Sequence, residues 1–464
     1  MTGPGERVVR RFAAVLFLGL VVFIVMSAPA SAGTLRYAMD LVGGNGLFVG
    51  SQTSDLDVDP ARDVAYVGSF VDLGVAVVDI TDRARPVVAT VLSTDYVGAP
   101  DDRRNSSDSA DLDLLGDLLA VANQPFGEDG FGGVSLYDVS VPLAPVFLGR
   151  IATGGTHDVQ IDPGWPGRPY VYAANEASTT TVHIIDASDR ANPVLAAEYV
   201  SAEGTGCLPS EDDCRQFATA HDLTLLRHPD TGRTLLYVAY WDSGLRIVDV
   251  TDAGSPQEIG AYDYTPVRDR LGLWTNCCAH YAQPTPSGDY VLLEDEYGIG
   301  RAGGVHIVRT DTCDGAQACV IEKVGFWAPP IPSGQAMAIL AEIRAGTTTN
   351  GVFQRFFTRD VHNLDVQEDR ILAALYSSGV QLVDMTDKAS PTTIAFWRGA
   401  TNMATACHGK NTLEPWGYQG NCYLQGREVW GAKFGDHVPG SPTDMYVYAS
   451  DFWEGFIVLR TVTR

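Results

Sequence analysis

With 45% of its 464 residues apolar, and with 48 glycines and 25 prolines, the chain is too hydrophobic for disorder and suits many short strands joined by turns. Its formal net charge of −25 disfavours nucleic acid and anionic membrane surfaces, both of which reward Lys and Arg. The acidity reads first as solubility and second as a means of holding cations.

In chain order, residues 1–32 read as a secretory signal peptide: Arg7, Arg10 and Arg11 precede an apolar run from Phe12 to Met26 and an Ala30-Ser31-Ala32 cleavage site. The expectation is an exported protein of residues 33–464, without an integral membrane span after signal removal. Leu35 to Val42 (LRYAMDLV) follows as a lone strand. Then one pattern recurs to the end: GVAVVDITD from Gly74, GVSLYDVS from Gly133, TVHIIDASD from Thr181, GLRIVDVTD from Gly244, GVHIVRTD from Gly304, GVQLVDMTD from Gly379 and GFIVLRT from Gly455. Each is a small residue, an alternating β-branched run and usually a turn-forming Asp. Copies about 50 to 75 residues apart leave room for about four strands each. Strand starts fall at His221, Leu235, Leu245 and Gln257 in the fourth copy, at His157, Tyr170, Val182 and Val194 in the third, and at His362, Ile371, Val380 and Thr392 in the sixth.

These segments resemble the LVIVD-repeat family of exported β-propellers, a resemblance that covers essentially all of the mature chain. It is weaker in copies five and seven, where Arg309 and Arg460 replace the repeat's Asp. It implies an extracellular setting and an all-β, seven-bladed β-propeller of four-stranded blades, but no reaction, because propellers host enzymes and docking scaffolds alike. The seventh copy ends before an outer strand can form, so Leu35 to Val42 is expected to complete that blade and close the ring.

The long connections, Ser93 to Ser109, Ser201 to Ala220, Asp263 to Ala279, Ala328 to Val361 and Arg398 to about Gly426, all fall on one face. A short helix is expected near Gln335 to Arg344. His157, His221, His280 and His362 each begin an inner strand behind those loops, while Ser54 and Ala110 stand at the same place in copies one and two. Neutral imidazoles converging on a channel mouth could bind a transition metal, copper or zinc foremost, and His157, His221, His280 and His362 are the candidate ligands. The competing reading is structural, a repeated His bonding its neighbouring loop. Asp158, Asp222 and Asn363 follow three of these histidines; by strand alternation they should face away and bridge blades.

Eight cysteines in an exported chain imply disulfides: Cys207 with Cys214, Cys313 with Cys319, and Cys407 with Cys422. Cys277 and Cys278 are left as a vicinal disulfide, as reduced thiols or as partners elsewhere, with the oxidising compartment favouring the first. The pairs Asp79 with Asp82, Asp249 with Asp252 and Asp384 with Asp387 suggest calcium, but their place in every third-to-outer hairpin makes them Asx turns. The run Glu294-Asp295-Glu296 reads as a solvated loop before it reads as a cation site. Asn105-Ser106-Ser107 matches a glycosylation acceptor. Trp241, Tyr376, Phe452 and Trp453 fall in loops on the long-loop face.

Two functions follow. One is a monomeric, non-catalytic interaction scaffold that binds an extracellular protein, glycan or small molecule through the long-loop face, with no nucleic acid partner. The other is a metal-dependent oxidoreductase whose histidine-lined site lies at the channel mouth, similar in architecture alone to the methanethiol oxidase (selenium-binding) proteins.

Overall fold

The computed structural model describes residues 36–47, 53–70, 74–92, 107–125, 130–175, 181–201, 219–241, 243–263, 267–268, 274–275, 278–296, 303–315, 318–329, 361–376, 378–397, 429–441, 443–452 and 454–464. The expected signal peptide, the helix near Gln335, Asn105, Trp453 and the pairs Cys207 with Cys214 and Cys407 with Cys422 lie outside them. Among the described residues no helix is long and apolar enough to cross a membrane.

Seven four-stranded antiparallel sheets form the blades, spanning 53–92, 107–152, 158–199, 220–263, 279–327, 363–397 and 429–463. A two-stranded ribbon, Val267–Arg268 with Trp274–Thr275, lies between blades four and five. Each blade's third strand is the recurring sequence pattern. In blades four and six its leading glycine is needed because the backbone turns through positive φ there, 90° at Gly244 and 77° at Gly379, where a side chain would be strained. The aspartate that ends the pattern caps the following turn: Thr251 N–H donates to Asp249 Oδ1 at 2.9 Å, and Gly254 N–H to Asp252 Oδ1 at 3.1 Å. The same bonds recur at Asp79 and Asp82 and at Asp384 and Asp387, so the paired aspartates are Asx turns, as read from the sequence.

Strand Tyr37–Asn45 pairs antiparallel with Gly455–Thr463 as the outer strand of blade seven, which closes the ring with the N-terminal strand as expected, shifted two residues along the chain. Apolar clusters fill every interface between neighbouring blades. The one that closes the circle packs Leu56, Ala65 and Val67 of blade one against Tyr448, Phe456 and Val458 of blade seven. At roughly 1.5–3 kcal/mol per buried Leu-sized side chain, these seven interfaces are the main source of stability.

The inner strands carry the feature that shapes the site. In blade four, Ala220 pairs with Tyr240 and Leu223 with Val238, so His221 and Asp222 together oppose Ala239. Equivalent β-bulges fall at Ser54-Asp55, Ala110, His280 and Trp430. In blades three and six, His157 and His362 donate backbone N–H to Ala174 and Ala374, whose ladder partners are Asp158 and Asn363. A bulge breaks strict alternation and lets two successive side chains face the same side.

Candidate metal centre

One residue of an axial tier stands at the inner-strand bulge of blades one, two, four, five and seven (Ser54, Ala110, His221, His280 and Trp430) and immediately before the inner strand of blades three and six (His157 and His362). The four histidines form a continuous arc. Ring centroids are 4.4 Å apart for His157 and His221, 4.2 Å for His221 and His280, and 4.6 Å for His280 and His362. One nitrogen each from His157, His221 and His280 lies within 4.8 Å of the others, as does one ligand atom each from His280, Glu296 and His362. All four predicted ligands are thus brought together, in two overlapping triads that share His280.

Their outer nitrogens are committed. His362 Nδ1 is 3.0 Å from the Trp430 carbonyl, which only accepts, so Nδ1 carries the proton. His221 Nδ1 lies 3.0 Å from Asp222 Oδ1, and His280 Nδ1 lies 3.3 Å from Glu294 Oε2. A carboxylate there also accepts, which assigns the proton to Nδ1 and leaves Nε2 with a lone pair on three rings. His157 departs from this pattern: Gln124 Nε2, which only donates, lies 2.7 Å from its Nδ1, so that Nδ1 accepts and the ring's proton sits on Nε2. Burial, together with the neighbouring imidazoles, holds His280 and His362 well below the usual histidine pKa, so both are neutral and competent to coordinate.

Beneath this tier lie Asp55, Asp111, Asp158, Asp222, Tyr281, Asn363 and Gly431, and beneath those Asp57, Asp113, Asp365 and Lys433. These residues stitch the blades together. Val159 N–H donates to Asp111, Ile161 N–H to Asp113, Leu114 N–H to Asp57 and Phe434 N–H to Asp365. Asn363 Nδ2 donates to Asp55 across blade seven, where Gly431 has no side chain to intervene. Burial, reinforced by neighbouring carboxylates, raises the pKa values of Asp111 and Asp158 well above normal. Burial opposes charge on Lys433 too, but Tyr281, Asp57, Asp55 and Asp365 around it prevail and raise its pKa well above the ordinary value.

Two expectations need correction. Asp222 does not face away from the histidines: the bulge turns it toward them, to 3.8 Å from His157 Nε2 and 3.6 Å from His280 Nδ1. Asn363 and Asp158 do link blades, Asn363 through Asp55 and Asp158 through the Leu223 amide. The run Glu294-Asp295-Glu296 is not a solvated loop. It ends the second strand of blade five, with Glu294 and Asp295 fully buried. Asp295 pairs with His306 at 2.7 Å, and Glu296 Oε2 lies 3.7 Å from His280 Nε2.

Aromatic rings border the cluster. Trp430 packs on His362 with centroids 3.8 Å apart, Tyr376 stands 5.3 Å from His362, and Trp241 stands 4.8 Å from His221. Phe452 stacks on Trp430 at 5.8 Å, with Phe70 4.9 Å from the same indole. Tyr376 donates its hydroxyl to Glu296. Sequence reading singles out Trp241, Tyr376 and Phe452, takes Glu294 and Glu296 for a solvated loop before a cation site, and misses Trp430 and Gln124; the start of blade seven's inner strand was the available signal for Trp430. Cys313 and Cys319 form the expected disulfide in blade five. Cys278, two residues before His280, is also disulfide-bonded, and its carbonyl accepts from Glu296 N–H at 2.9 Å.

Residues 235–264 match the LVIVD repeat model. No curated protein matches the chain in sequence. Among solved structures, the chain is similar to a "putative 6-phosphogluconolactonase" from Bacteroides fragilis, with TM-score 0.50 and 14% identity over 78% of this chain and 95% of that one. It is likewise similar to the β-propeller domain of Cps50 (Swd1) from Myceliophteria thermophila, with TM-score 0.50 and 12% identity over 90% of this chain and 99% of that one. At such identities the likeness concerns the fold alone. The chain is therefore a seven-bladed β-propeller with an LVIVD repeat in its fourth blade.

Proposed function

We propose that this propeller binds a transition-metal ion through His157, His221, His280 and His362, and that its long-loop face is the active site of a metal-dependent oxidoreductase acting on a small molecule. The observation that carries this reading is the shared tautomer: the outer nitrogens of His221, His280 and His362 are held by carboxylate or carbonyl acceptors, which leaves each Nε2 unprotonated. Imidazoles that merely pack a rim have no reason to be oriented alike, whereas metal-ligating imidazoles are oriented in this way by their outer hydrogen bonds. An all-imidazole donor set suits copper, iron or zinc. Such an ion, when bound, supplies Lewis acidity and, for copper or iron, electron transfer. Around it the chain contributes Glu296, 3.7 Å from His280 Nε2 and bonded to the Tyr376 hydroxyl, as a group able to accept and relay a proton. Half-buried Trp241, Tyr376, Trp430 and Phe452 offer apolar surface to a small substrate.

The docking-scaffold reading rests on loop length, and no feature of the histidine tier calls for it. The test is metal analysis of protein expressed in supplemented medium and dialysed against a weak chelator. The expected content is about one transition-metal ion per chain, falling below roughly a tenth in His221→Ala or His280→Ala because each removes one imidazole from a small donor set. Wild-type protein that retains no stoichiometric ion would leave the scaffold reading in place.

A further inference from the structure

The geometry points to a specific role for Asp222: we infer that it is the positioning carboxylate of the histidine centre, orienting His221 through its Nδ1 and supplying, close to imidazoles of the two adjoining blades, the counter-charge to a bound divalent cation. This rests on the metal reading above and deepens it. Asp222 Oδ1 lies 3.0 Å from His221 Nδ1 and 3.8 Å from His157 Nε2, and its Oδ2 lies 3.6 Å from His280 Nδ1. One carboxylate therefore spans blades three, four and five. It can do so only because the bulge sets His221 and Asp222 together against Ala239, so that two successive residues of one strand serve the same centre.

Neighbouring carboxylates do not share this position. Asp158, the same tier's residue in blade three, accepts from the Leu223 amide. Glu294 reaches His280 at 3.3 Å and Glu296 reaches the same ring at 3.7 Å. Asp222 is fixed in place: it is buried and emerges from a strand rather than a loop. Fixed outer carboxylates on ligand imidazoles lock the ring plane and make the coordinating nitrogen a better donor, and their removal costs roughly 10- to 100-fold in metal affinity.

The test uses the full chain in four forms: wild type, Asp222→Asn, Asp158→Asn and His221→Ala. Zinc affinity is measured by competition with a chromogenic chelator, and the cobalt(II)-loaded forms are compared by absorption spectroscopy. Asp222→Asn keeps the side chain's shape and removes its charge. The expected result is a Kd weakened roughly 10- to 100-fold, with a shifted cobalt ligand-field spectrum, whereas Asp158→Asn leaves both within about twofold of wild type. If Asp222→Asn does not fold, 15N-imidazole NMR of zinc-loaded wild type decides: His221 and His280 should be zinc-ligated through Nε2 with a protonated, hydrogen-bonded Nδ1. Coordination through Nδ1 at either ring, or an Asp222→Asn variant that matches Asp158→Asn in affinity and spectrum, overturns the inference. A wild type that binds neither zinc nor cobalt any better than His221→Ala overturns instead the metal reading on which it rests.

Discussion

A methyl group at residue 431 should be costly in the channel tier, and part of the cost should disappear when Asp55 is removed. A Cβ on Gly431 would collide with Asp55 Oδ1, and would lie 2.8 Å from Leu56 Cδ2 and 3.1 Å from Asp55 Cγ. The carboxylate cannot simply retreat: Leu56 N–H holds Oδ1 at 2.7 Å and the Asn363 amide holds Oδ2. Overpacking costs about 1–3 kcal/mol, and a buried acid torn from its amide donor about 1–3 kcal/mol more, so Gly431→Ala should destabilise by about 2–6 kcal/mol. Asp55→Ala alone strands the Asn363 amide, again about 1–3 kcal/mol. In the double variant the new methyl occupies space that the carboxylate has left, and the combined loss should fall at least about 1 kcal/mol below the sum of the two. Guanidinium unfolding followed by tryptophan fluorescence gives all three values. Additivity within about 0.5 kcal/mol, the range expected of independent sites, would refute the claim that Gly431 is small to make room for a cross-channel bond.

Deleting Tyr37–Asn45 should abolish cooperative melting or drive aggregation, because it strips the strand Gly455–Thr463 of its partner and exposes an edge; light scattering and calorimetry read the outcome. Stability should also depend on pH with opposite signs in the two tiers. Burial, with Asp57 adding to it, pushes the Asp113 pKa up to about 7 from 3.8, so the folded state holds a proton that the unfolded chain has lost. Its contribution is therefore lost as pH rises from about 4 to 7, a ceiling of about 4 kcal/mol that Asp113→Asn should remove. His280 runs the other way: its depressed pKa gives stability that is present above the ordinary value of 6.5 and is lost as pH falls below it. Unfolding titrations across pH 4 to 8 that show no change of slope in Asp113→Asn would count against the first sign.

The repeat was legible because its chemistry is local. A glycine forced to positive φ, an alternating apolar strand and a turn-capping Asp each leave a mark on the sequence, and strand starts in blades three, four and six fall within two residues of those read. Blades five and seven fold alike despite losing the Asp. Arg309 pairs instead with Glu322, and Arg460 lies opposite Asp40 in the closing strand, so the Asp serves the turn and the ladder does not require it. The histidine tier was legible for the same reason, since each member opens its inner strand. Trp430, its seventh-blade counterpart, was hidden because the sequence before that strand carries no repeat pattern to fix the register.

What alternation could not supply was the second row of the site. A strict period of two sends Asp222 to the face opposite His221. That inference fails at a bulge, where the axial residue is inserted as an extra; Glu294 and Asp295 lie on the second strand of blade five, beside the inner-strand bulge at His280. The irregularity recurs in blades one, two, four, five and seven, because inner strands about 51° apart converge on one axis and must bend at the mouth. Bending by bulge doubles the side chains that each strand can present there. Histidines thereby acquire carboxylate and amide partners from their own and adjoining strands, without any loop having to provide them. The pairing of a donor tier with an acid tier is thus a property of how the ring is built, and the repeat motif, which lies on the third strands, records none of it.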